Sequence, residues 1–130
     1  MGNQIKNLHL IISVLLVVPI AFVYGFLPNF ISQKLFVFEV STTDLSNIFK
    51  AIMGFYLASV SLWILGILKP KYWEIATFSN IIFMFGLSIG RWISLICDGI
   101  PSPILLYGTF GELILAVFGM YQLLKYRKTD

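Results

Sequence analysis

The chain has 130 residues, 58% hydrophobic and 12% charged, with a formal net charge of +3 and a mean hydropathy of +0.90. Soluble domains carry about 25% charged residues, so this composition excludes a soluble enzyme, a disordered chain and a disulfide scaffold. The basic residues form no continuous face, which excludes a nucleic-acid partner. A single cysteine, Cys97, excludes an internal disulfide and any paired-cysteine metal or redox motif.

Four apolar runs follow in chain order. The first, Leu8 to Leu27, closes at Pro28. The second, Asn47 to Leu68, closes at Lys69-Pro70-Lys71. The third is Tyr72 to Ile96, and the fourth, Pro103 to Leu124, ends in Lys125-Tyr126-Arg127-Lys128. Each is roughly 20 to 25 residues long, enough to cross a hydrocarbon core about 30 Å thick. In lipid such runs must be helical, because the backbone finds hydrogen-bond partners only within itself. The expected fold is therefore all-α: one transmembrane domain over residues 1–130, a four-helix bundle. The first run is longer than the apolar part of a signal peptide and lacks a small-x-small cleavage site, so it reads as a retained helix. Pro19 removes one backbone donor within it and predicts a kink.

Basic residues set the expected orientation. Lys6, Lys69, Lys71, Lys125, Arg127 and Lys128 fall on one side, and Lys34 and Lys50 on the other. The positive-inside rule then places both termini in the cytoplasm, in a bacterial inner membrane. Trp63, Tyr72, Trp73, Tyr121 and Tyr126 are expected in an aromatic belt at that side, and His9 at headgroup level. The longer loop between the first two helices faces outward. Its stretch Gln33 to Val40 predicts a short strand or hairpin, and Ser41 to Asp44 offers helix caps. Asp98-Gly99-x-Pro101-Ser102-Pro103 reads as turn chemistry, with glycine for a positive φ and Pro103 opening the fourth helix.

Ionisable residues inside a bilayer are costly and usually functional. Lys50 lies about 5 Å, Arg91 about 8 Å and Glu112 about 13 Å below the outer surface at 1.5 Å per residue. Asp98 stands at the outer end of the third helix. An unpaired carboxyl at the depth of Glu112 takes up a proton; Arg91 is the partner that would keep it charged. Small residues mark closely packed helix faces: Ser13, Val17, Ala21 and Gly25 on the first helix; Gly54, Ala58 and Ser61 beside Lys50 on the second; Gly86 and Gly90 beside Arg91 on the third; Gly108, Glu112 and Ala116 on the fourth. These faces turn the charges inward and predict a polar pocket in the outer half. Arg91 and Glu112 lie at its centre and Lys50 and Asp98 at its rim. Ser94, Tyr24, Tyr56, Asn80, Ser88 and Tyr107 add hydrogen-bonding groups.

Two stretches resemble a known family. One is Asn47-Ile48-Phe49-Lys50-Ala51-Ile52-Met53-Gly54-Phe55-Tyr56. The other runs from Gly90-Arg91-Trp92-Ile93-Ser94 through Asp98-Gly99-Ile100-Pro101-Ser102 to Glu112. Together they are similar to a bacterial four-helix membrane family classed as domain of unknown function number 4345, with Lys50 where that family more often carries Arg. The resemblance implies four helices. It places Lys50, Arg91, Ser94, Asp98, Gly99, Pro101, Ser102 and Glu112 in the family pattern and implies no activity.

Three functions remain open. The pocket suits binding, or transport, of a small polar or lipid-headgroup ligand. Glu112 and Asp98 could instead serve as acid and base in an enzyme acting on a lipid or isoprenoid. Thirdly, the charges could fix helix packing in an accessory subunit. No cofactor or metal set is implied. The expected partners are membrane lipid, a small polar or amphipathic ligand and, for transport, a second copy of the chain in an oligomer.

Overall fold

The computed structural model describes residues 2–26 and 39–127, without the Asn3 side chain. Four long helices carry the fold: α1 (Gly2–Phe26), α2 (Thr43–Leu68), α3 (Trp73–Asp98) and α4 (Pro103–Tyr126). A single 3₁₀ turn, Pro70–Tyr72, joins α2 to α3. All four helices are long and apolar enough to cross a membrane. Their outward faces are apolar too, with Ile82 and Leu124 exposed by 69% and 73%. A helix in a water-soluble bundle turns a polar face outward; this is a membrane protein.

Local chemistry sets the helix ends. Thr42 Oγ1 accepts the Leu45 backbone N–H at 3.1 Å and caps α2. Pro103 opens α4, where its missing N–H costs nothing. Gly99 ends α3 at φ +99°, as expected. With ψ at −167°, that conformation is essentially reserved for glycine and costs other residues about 1–3 kcal/mol. Gly99→Ala should therefore lower the thermal unfolding midpoint in detergent while the helical content stays the same. An unchanged midpoint would mean that the turn relaxes freely. Pro19 sits inside α1, which continues to Phe26. The expected strand falls, from Gln33 to Phe38, outside the described residues, and no strand occurs among the described ones.

The helices alternate in direction, and each packs mainly on its neighbours in sequence. The narrow face of α1 behaves as expected: Ser13, Val17, Ala21 and Gly25 are all buried. The face expected for α2 does not pack. Lys50, Gly54, Ala58 and Ser61 are exposed, and the buried face carries Tyr56, Val60, Trp63 and Gly66. Gly86 and Gly90 on α3 are exposed as well, while Asn80, Met84 and Ser88 turn inward. The physical reason is complementarity. A face of small residues on α1 makes room for bulk on its neighbour, and large side chains bury more apolar area. Tyr56 and Trp63 both set their rings edge-on to Phe83, with centroids 5.0 Å apart in each pair. Trp63 and Trp73 are accordingly interior residues, 0% and 3% exposed, rather than members of a surface belt.

Candidate functional site

The bundle has a terminal half, holding the start of α1 and the end of α4, and a distal half. In the terminal half α1 and α4 touch. Gln122 Nε2 donates to the Ile5 carbonyl, and the His9 and Phe118 rings meet edge to face at 6.1 Å. Toward the distal half a cavity of about 460 Å³ lies between the same two helices. That volume falls within the ~300–1,000 Å³ range of small-molecule sites. Its walls are chiefly apolar, with Leu16, Ile20 and Val23 on α1 and Ile104, Leu105 and Leu115 on α4.

Four polar side chains enter this cavity from deeper in the bundle: Tyr24, Tyr56, Arg91 and Glu112. Arg91 Nε donates to Glu112 Oε2 at 2.8 Å, joining α3 to α4, and the two side chains are only 24% and 15% exposed. This is the pairing expected from depth and charge. Tyr24 stands beside the guanidinium and against Tyr56, ring centroids 5.9 Å apart. The guanidinium lies along Gly108 of α4, where a Cβ would stand in ordinary contact, 3.9 Å from Arg91 Cζ. The bond to Glu112 uses one of the five guanidinium N–H donors. One end of the cavity is thus a charge-neutral but strongly hydrogen-bonding patch, and the remainder is hydrocarbon.

Of the other expected site residues, Lys50, Ser94, Asp98, Ser88 and Asn80 lie apart from this cavity. Lys50 is exposed and donates to Ser46 Oγ at 2.9 Å, one turn back on its own helix. Ser94 donates to Asp98 Oδ2 at 2.8 Å, and this pair also stays within one helix. Neither pair lines the cavity. Tyr107 lines its mouth and is exposed. Ser88 donates to the Thr109 carbonyl at 3.4 Å and stitches α3 to α4.

The sequence matches the family model described as Domain of unknown function (DUF4345) over residues 5–123. The chain belongs to this family. Comparison with curated proteins gave no match, and comparison with solved structures gave none.

This DUF4345 chain also holds buried polar residues that sequence reasoning missed or misplaced. His9 is fully buried between the helices, and its Nε2 lies 3.1 Å from Thr77 Oγ1. Asn80 is fully buried beside it, in the terminal half rather than in the distal cavity. Gln122 completes the group. The signal was present in the spacing. His9 lies one turn before Ser13 on the buried face of α1, and Gln122 lies three residues after Gly119 on α4.

Proposed function

We propose that this protein binds one amphipathic molecule in the cleft between α1 and α4. The observation that carries this reading is the cleft's composition: a partly buried ion pair, flanked by two tyrosines, at one end of an otherwise apolar cavity. A purely polar solute would leave the Leu16, Ile20, Val23 and Ile104 wall uncovered. A purely apolar one would bring no acceptor to the remaining guanidinium donors. An acyl or prenyl chain with a small anionic or zwitterionic head satisfies both, its head on Arg91 and Tyr24. Membrane lipid and its metabolites are the natural source. The basic residues near both ends of the chain support a cytoplasmic location for the termini, which puts the cleft in the outer half of the membrane.

The test is mass spectrometry of molecules that co-purify with the full chain in a mild detergent. Wild type is compared with Arg91→Gln and with Gly111→Phe. Gly111 lines the cavity, and a Cβ there meets nothing within 4 Å, so a bulky side chain at this position is expected to occupy part of the cleft. A stoichiometric amphiphile in wild type that is lost from both variants is expected. An empty wild-type protein, or a lipid profile unchanged by both substitutions, would overturn the reading.

A second reading draws on the same ion pair. Because Arg91 and Glu112 tie α3 to α4, they contribute to packing whether or not a ligand is present.

A further inference from the structure

The lining of the cleft between α1 and α4 changes from its deep side to its edges. Val17, Tyr56, Met84 and Leu115 line it and are buried, as the Arg91–Glu112 pair largely is. Leu16 and Ile20 on α1 and Ile104 and Tyr107 on α4 also line it, yet these four are exposed, Leu16 by 51% and Ile104 by 44%. The polar end is therefore covered and the apolar edges are open.

Those edges run along the helices. Ile104 is the second residue of α4, at the distal end of the bundle. Leu16 lies about 15 Å from Phe26, where α1 ends. In a hydrocarbon core about 30 Å thick, the open edges reach from the distal surface to near mid-depth. At that depth the outer face of a membrane protein meets acyl chains rather than water. Of the four edge side chains only Tyr107 carries a polar atom. Further along, in the terminal half, α1 and α4 are in contact through Gln122 with the Ile5 carbonyl and through His9 with Phe118.

A tail attached to a head at Arg91 has two destinations. Folding it up inside the cavity costs conformational entropy, with little return, since lipid tails are as apolar as leucine side chains. Passing out between the edges exchanges one hydrocarbon environment for another. Resting on the amphiphile reading above, we infer that the cleft is a lateral slot open to the bilayer. The Arg91 end holds the head of a single-chain amphiphile drawn from the membrane. Its tail leaves between Leu16 and Ile20 of α1 and Ile104 and Tyr107 of α4 into the surrounding lipid. Such a site selects the head and is indifferent to the length of the tail.

The test uses the full chain in phosphatidylcholine nanodiscs, with decanoyl, hexadecanoyl and tetracosanoyl lysophosphatidic acid as probes. Native mass spectrometry measures binding, referred to the mole fraction of each probe in the bilayer. The part of the binding that Gly111→Phe removes counts as binding in the cleft; if that variant does not fold, Arg91→Gln defines it instead. All three probes should bind wild type within about fourfold of one another, the effect of a single methylene group. The tetracosanoyl chain is decisive, because it is about as long as the hydrocarbon core is thick and a closed cavity in one half of the bundle cannot hold it. Loss of the tetracosanoyl probe with retention of a shorter one would overturn the slot and leave the amphiphile reading standing. Binding of no probe, or binding that neither substitution reduces, would overturn both.

Discussion

Glu112→Ala should destabilise the bundle more than Arg91→Ala, although each removes the same 2.8 Å ion pair. Removing one partner of a fully buried pair costs about 3–5 kcal/mol, because the survivor is left charged in a low-dielectric interior; this pair is partly buried, so a smaller loss in the same direction is expected. The survivors differ in kind. A carboxylate left behind by Arg91→Ala can shed its charge by taking a proton. A guanidinium left behind by Glu112→Ala cannot. Reversible unfolding by SDS titration, followed by tryptophan fluorescence, would measure the asymmetry. Equal losses would mean that water reaches the guanidinium through the cleft and pays its solvation. The double variant Arg91→Leu/Glu112→Leu separates the two readings of the site. It should recover much of the lost stability, since apolar residues of similar size often replace a buried pair at no cost. If the pair serves a ligand, this refolded variant still lacks the co-purifying amphiphile. If the pair only fixes packing, the refolded variant matches wild type in every functional readout.

Much of this architecture is legible in the sequence because the strongest signals are one-dimensional. Charges and prolines bound the apolar runs: Lys69-Pro70-Lys71 separates α2 from α3, and Pro103 opens α4. Gly99 announces its own positive φ. The Arg91–Glu112 pair follows from depth and sign, since two opposite charges at similar depth on adjacent helices have few other partners. The packing face of α2 is harder to read. Small residues are ambiguous: they mark a close approach on α1, yet on α2 they lie outside, because α1 is already narrow and receives Tyr56, Val60 and Trp63. Lys50 and Asp98 fall at the right depth for a pocket rim, but each finds a serine on its own helix. Asn80 was within reach of simple arithmetic. It precedes Arg91 by eleven positions, about 16 Å along a helix, too far to share one pocket. The cleft itself had no signature, because a gap between α1 and α4 depends on how all four helices lean.

Gly66→Ala should break a close backbone-to-backbone contact between α2 and α3, and Ala76→Gly should repair it. Gly66 is buried near the end of α2, where a Cβ would overlap the Ala76 Cβ of α3. It would also stand 3.3 Å from the Tyr72 carbonyl oxygen and 3.4 Å from Trp73 Cα. All three obstacles are backbone atoms or are fixed to backbone, so no rotamer change relieves them and the two helices must part. Alanine is worth about 1 kcal/mol over glycine within a helix, but overpacking of a close contact costs about 1–3 kcal/mol. The cost should win here, because the same separation loosens the 3.3 Å bond from Trp63 Nε1 to Ser79 Oγ, which also joins α2 to α3. Adding Ala76→Gly removes the opposing methyl and should raise the unfolding midpoint back toward wild type, despite introducing a glycine into α3. Gly86→Ala provides the contrast. A Cβ there meets nothing within 4 Å, so only the helix-propensity gain remains and the midpoint should hold or rise. If Gly66→Ala behaves like Gly86→Ala, α2 and α3 do not meet as closely as their hairpin requires. If the double variant fails to recover, the Tyr72 carbonyl rather than Ala76 sets the limit.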